Sequence, residues 1–176
     1  MTKEWKPRIV AFFCNWCTYT AADLAGVSRL KYAANIRVIR IMCSGRVDPQ
    51  FILDALARGA DGVLIGGCHP GDCHYAEGNY KMLRRFQMLK RMLKDLGIED
   101  HRVRLEWISA AEGEKVKRVV NEMVGQIQKL GPLGMPQRFE EWDKEMERFA
   151  ACVAAQEAES GCACGAQTQE MEPAHA

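Results

Sequence analysis

Four short apolar runs alternate with stretches whose apolar positions recur at helical spacing, and this alternation organises the chain as far as residue 132. The first run, Arg8–Phe13 (RIVAFF), suits a buried strand. The stretch CTYTAADLAGVSRLKYA that follows has helical composition. Ile36–Met42 (IRVIRIM) then alternates apolar and basic residues before the turn-forming CSGRVDP. Asp48 ahead of Pro49 marks a helix start: the carboxylate accepts free amide hydrogens, and proline at the first helical position loses no hydrogen bond. That helix, FILDALARG, ends at Gly59. Gly62–Gly66 (GVLIG) is the third strand, a long helix runs from about Glu77 to Leu96, and Val103–Ile108 (VRLEWI) is the fourth strand. Ser109 and Glu112 have capping-box spacing ahead of the next helix. In that helix Val116, Val119, Val120, Met123, Ile127 and Leu130 recur at steps of three and four until Gly131 and Pro132 stop it.

Regular alternation of strand and helix predicts an α/β fold: a small open parallel sheet of about four strands, with helices on both faces and right-handed crossovers, flavodoxin-like or Rossmann-like. Beyond Pro136 the pattern changes. Phe139, Trp142, Met146, Phe149 and Val153 are spaced three, four, three, four, which predicts an amphipathic helix with a narrow seam. The acidic polar face points to packing on this protein's own core or on a partner protein, not on a membrane surface. The expected organisation is an α/β domain over 1–132, a helical extension over 133–158 and a disordered tail over 159–176.

The chain has 176 residues, enough for one domain and an appendage. Lys and Arg total 24 against 23 Asp and Glu, so no global charge draws it to nucleic acid or an anionic membrane. No apolar window is long enough to span a bilayer, and the start MTKEWKPRIV has no secretory core, so a cytoplasmic location is expected. Eight cysteines in a reducing compartment point to metal binding or redox chemistry, not to disulfides.

The predicted elements put five of those cysteines at strand ends. Cys14 and Cys17 follow the first strand, Cys43 the second, and Cys68 and Cys73 lie in GGCHPGDCHY (66–75) after the third. Carboxyl ends of parallel strands are where open α/β sheets place ligand sites. If the first three strands are ordered 2-1-3, with neighbours about 4.8 Å apart, the three loops meet and four thiolates can surround one centre.

Three chemistries use such thiolates. CNWC at a helix start could be a dithiol oxidoreductase, but that leaves three cysteines idle. Structural zinc would take four thiolates, or three with His69 or His74, making the chain a stapled scaffold. An iron-sulfur cluster also takes four and tolerates spread spacing, because each iron is held by its own pair. Gly66, Gly67 and Gly71 suit a loop that turns with positive φ and approaches such a centre closely. His69 and His74 are expected beside the ligands or at the surface, not among the ligands. Lys81, Arg84, Arg85, Lys90, Arg91 and Lys94 on the following helix form a solvated face or a basic rim for an acidic redox partner, with Arg37, Arg40 and Arg46 near the second corner. No nucleophile with a base and no phosphate loop appears, so a self-contained catalyst is not expected.

The motifs CNWCTYTAADLAGVSRL, IRVIRIMCSGRVDP and GADGVLIGGCHPGDCHYAEGNYK, with EWISAAEGEKV and the LGP ending, resemble the iron-sulfur D (delta) subunit of the methyl-viologen-reducing nickel-iron hydrogenase, found with heterodisulfide reductase in methanogens and relatives. The likeness covers about Arg8 to Pro132. It implies a [2Fe-2S] cluster held by four of Cys14, Cys17, Cys43, Cys68 and Cys73. It also implies electron relay between a hydrogenase small subunit or a formate dehydrogenase and the flavin-bearing A subunit of heterodisulfide reductase, where electrons are bifurcated. The segment after Leu133, with Cys152, Cys162 and Cys164, departs from the family core and is expected to dock a neighbouring subunit.

Overall fold

Apolar residues on both faces of β1 (Ile9–Cys14) send it to the interior of a four-stranded, all-parallel sheet of order β2-β1-β3-β4, in a computed structural model that describes residues 5–160, with side chains as far as 156. β3 (Gly62–Gly67) is buried throughout, while β2 (Ile36–Ile41) and β4 (Val103–Trp107) form the edges. The order matches the first four strands of the flavodoxin-like arrangement. Ile9 pairs with both Ile36 and Gly62, and Cys14 with Ile41, so β1, β2 and β3 end level. The alternation of basic and apolar residues in β2 reflects its edge position. Arg37 and Arg40 are exposed there, and charge on an edge strand discourages pairing with another chain.

Successive side chains of a strand point to opposite faces, and the two halves of the core follow from that. Phe13 and Leu64 face α1 (Thr18–Val27) and α4 (Gly113–Leu130), where Ala21, Val119 and Met123 are buried. Phe12 and Ile65 face α2 (Pro49–Ala57) and α3 (Gly78–Asp95), against Ile52, Met82 and Leu89. Burying each such side chain stabilises the fold by about 1.5–3 kcal/mol. At the head of α2 the side chain of Asp48 accepts the Gln50 N–H at 3.0 Å, with Pro49 at the first helical position.

Two helices start or stop away from their expected bounds. α1 ends at Val27, because Arg29 adopts φ +54° and the chain turns back toward β2. α4 starts at Gly113, because Ser109 to Glu112 form a turn in which the Glu112 carboxylate accepts the Ser109 N–H at 2.6 Å; only this arm of the expected capping box serves the backbone.

The chain divides into a compact unit through Pro136 and a second unit from Gln137. Leu133 and Met135 belong to the core of the first. The second is the helix α5 (Met135–Ser160) beyond its first turn, on which the Phe139 and Trp142 rings meet edge-on at 5.3 Å and the Arg138 guanidinium sits 5.5 Å from the Trp142 ring centre. The helix runs two residues past the expected boundary at 158. The rest of the expected tail, with Cys162 and Cys164, lies outside the described residues. Among the described residues, no helix is long and apolar enough to cross a membrane.

Candidate functional site

All five cysteines expected at strand ends come to one edge of the sheet, and they form two groups. Cys14 closes β1, Cys17 is the residue before α1, and Cys68 follows β3; the three sulfurs lie within 4.8 Å of one another, with Cys14 and Cys68 3.8 Å apart. Cys43, after β2, and Cys73, in the loop before α3, form a separate pair with sulfurs 3.6 Å apart. Neither belongs to the close group of three. Cys14, Cys17, Cys43 and Cys68 are buried, and Cys73 is half-buried. Cys152 lies on α5, in the second unit.

Backbone and small residues shape this edge. The first residues of α3 sit against the pair: a Cβ on Gly78 would overlap the Cys43 sulfur and come within 3.2 Å of that of Cys73. Cys43 accepts the Gly45 N–H at 3.4 Å, and Asn79, fully buried, donates to the carbonyls of Cys68 (3.3 Å) and His69 (2.7 Å), which ties the third loop to α3. Of the three loop glycines only Gly71 has positive φ, at +94°. Gly66 and Gly67 are instead part of β3, where Thr18 and Ser44 pack so closely that a side chain would collide with them.

Each group contains one thiol that loses its proton most readily. Hydrogen bonding with Cys17 pushes Cys14 down to about 6, against the effect of burial, while the same bond, with burial, pushes Cys17 up. In the pair, burial pushes Cys43 up to about 11. Burial acts on Cys73 too, but it is outweighed by the N–H groups of Tyr75, Asn79 and Gly78 and by Cys43, which hold that thiol below its usual range. Burial also raises Cys68. Because the thiolate is the metal-binding form, both groups are primed to receive a soft cation.

The two histidines sit beside the thiols, and their partners were not evident from the sequence. His69 Nε2 is 2.8 Å from Glu112, whose carboxyl is held down at about 2 by the Ser109 N–H and by His69. His74 stacks on Trp16 at 3.8 Å, Tyr75 meets His74 edge-on at 4.9 Å, and Trp16 Nε1 donates to the Tyr75 hydroxyl at 3.3 Å. This clasp joins the first loop to the third. The only hint of it in the sequence is a tryptophan inside CNWC.

Openings among the described residues reach the thiols. One, of 360 Å³, is lined by Met42, Cys43, Arg46, Tyr75 and Lys81 among others; another, of 280 Å³, includes Cys17, Cys68, His69, Asp72 and His74. A larger cavity of 690 Å³ lies at the far, amino-terminal end of the strands between β2 and α2, with no thiol in its wall, so it is not the seat of this chemistry.

The family described as methyl-viologen-reducing hydrogenase, delta subunit, matches residues 9–131. The chain is 59% identical over 132 residues to the iron-sulfur D subunit of the F420-non-reducing hydrogenase of Archaeoglobus profundus, spanning 75% of this chain and 96% of that one. It is likewise 59% identical over 132 residues to the iron-sulfur D subunit of the vhc F420-non-reducing hydrogenase of Methanococcus voltae, over 75% and 92% of the two chains. A third relative is the A subunit of the ferredoxin/F(420)H(2)-dependent CoB-CoM heterodisulfide reductase of Methanosarcina acetivorans, 52% identical over 128 residues, which are 73% of this chain and 16% of that longer one. The matched span opens with β1 and closes at the end of α4, taking in the whole sheet and all five thiols at its edge, and on that basis the chain belongs to the methyl-viologen-reducing hydrogenase delta subunit family.

Proposed function

We propose that this chain is an electron-transfer subunit that carries a [2Fe-2S] cluster on four of Cys14, Cys17, Cys43, Cys68 and Cys73, and relays electrons between a hydrogenase or formate dehydrogenase and the flavin-containing A subunit of heterodisulfide reductase in an electron-bifurcating complex. The single observation that carries the cluster reading is the two-part grouping of the sulfurs. A two-iron cluster needs two terminal thiolates on each iron, and a pair beside a trio supplies both with one thiol to spare. A zinc tetrahedron has its sulfurs roughly 3.8 Å apart, for bonds of about 2.3 Å. The trio would suit it, but Cys43 and Cys73 would then be idle. The dithiol reading is disfavoured by burial, since Cys14 is 1% and Cys17 5% exposed and a disulfide substrate would have to reach them.

The names of the relatives support the partners. Two are called hydrogenase iron-sulfur subunits, and in the third a segment like this chain is part of a heterodisulfide reductase A polypeptide. Two functions on one polypeptide argue for contact between their separate counterparts. Formate dehydrogenase as donor and bifurcation as the outcome rest on the family resemblance.

When bound, the cluster supplies reversible one-electron chemistry. The chain's own part is to hold thiolates at fixed positions, keep water away by burial, and aim N–H groups at Cys73, which favours its negative charge. Anaerobic purification should yield a brown protein with iron and sulfide and a paramagnetic signal on reduction. Cys43→Ala is expected to remove most of the iron and sulfide while the sheet stays folded. A colourless zinc protein, or full iron and sulfide after Cys43→Ala, would defeat the reading.

A further inference from the structure

We propose that the outward side of α3, with the opening over Cys43 at its head, is the surface on which a redox partner with an acidic, partly apolar face docks to exchange electrons; this rests on the relay reading above. α3 starts at the thiols, where its first residue, Gly78, lies against Cys43 and Cys73. Its inner side, with Met82, Phe86, Leu89 and Leu93, is core. On the opposite side Arg84, Met88 and Arg91 follow at steps of four and three, in one line along the helix.

Exposed apolar surface and positive charge occur together along this line, at the helix that starts at the thiols. Met88 is 69% exposed, and Met is an adaptable contact residue. Many other cations have a carboxylate close by: Arg58 with Asp54, Lys90 with Asp100, Arg102 with Glu99, Arg104 with Glu106 and Glu122. Among the described residues, Arg84 and Arg91 have none within 4.0 Å. Asp95, the acidic residue of the same side, lies at the end of the helix away from the thiols. Lys81 is shared with Glu77 at 3.5 Å, and it lines the opening over Cys43 together with exposed Met42, Tyr75 and Arg46. Apolar contact and unneutralised positive charge therefore run from α3 to a thiol. The other opening has Asp72 in its wall and Glu112 bonded to His69, a sign that repels the same partner.

The test is Arg84→Glu together with Arg91→Glu in the full chain. The cluster-bearing protein is titrated calorimetrically, under anaerobic conditions, with the small subunit of the hydrogenase and with the A subunit of heterodisulfide reductase in turn. The double variant is expected to bind one of the two about tenfold more weakly at low salt, with the gap closing at high salt, while iron content and reduction by methyl viologen radical stay unchanged. Lys129→Glu, on α4 across the sheet, should bind both as the native chain does. Unchanged affinity for both partners overturns the proposal. So does a change in self-association of the chain alone, which would make the face an interface between copies, and so does a native chain that binds neither. A native chain that binds a partner but takes up no electron from the viologen radical defeats the relay reading instead, and the titration still decides the docking face.

Discussion

Single residues decide how closely the thiols approach one another. Gly78 is the sharpest case, because two opposed effects can be weighed there. Alanine in a helix is favoured over glycine by about 0.8–1.0 kcal/mol. Forcing a methyl group into packed atoms costs about 1–3 kcal/mol, and here the atom met is the Cys43 sulfur. Overlap should win, so Gly78→Ala is expected to lower bound iron and sulfide per chain; equal content in the variant and the native protein would mean that the α3 start is not part of the site. The CxxC spacing and the cysteines after the first three strands were legible in the sequence, because strand ends are a local property. The role of Gly78 was not, since it depends on a sulfur 35 positions earlier in the chain.

At the scale of elements, the loop after β4 is joined to the loop after β3 through Glu112. Its carboxyl, at about 2, lies below the ordinary 4.5, and the groups facing it are the Ser109 N–H, His69 and, at 3.8 Å, Lys115. A depressed acid contributes stability that is present above the unfolded value and lost as pH falls through the folded one. The native chain should therefore unfold at a higher temperature than Glu112→Gln at neutral pH, with the gap narrowing between about 4.5 and 2. A gap that stays constant over that window in thermal scans would show that the carboxylate charge has no part in joining the loops. Periodicity located β1 to β4 and the helices to within a few residues. It misplaced the end of α1 and the start of α4, where Arg29 and the Ser109 to Glu112 turn respond to where the chain must go next.

For the whole molecule, the magnitudes set core against cluster. Both faces of the sheet carry apolar layers, and burial of Ile52, Leu64, Ile65, Met123 and their neighbours contributes about 1.5–3 kcal/mol each. A fold with two such layers does not need a metal to hold it, unlike a small zinc module. Removing iron by acid-free chelation is expected to bleach the protein and leave its far-ultraviolet circular dichroism nearly unchanged. Loss of helix and strand signal on chelation would make the thiol site a structural staple. The sequence by itself determined the α/β alternation and which cysteines stand at strand ends, because hydrophobic period and turn chemistry act between residues close in the chain. Only the tertiary structure decided that five thiols divide into three and two, that His74 stacks on Trp16 and His69 meets Glu112, and that among the described residues Arg84 and Arg91 lack carboxylate neighbours. Those facts depend on distances between segments that the sheet brings together, and no local pattern encodes them.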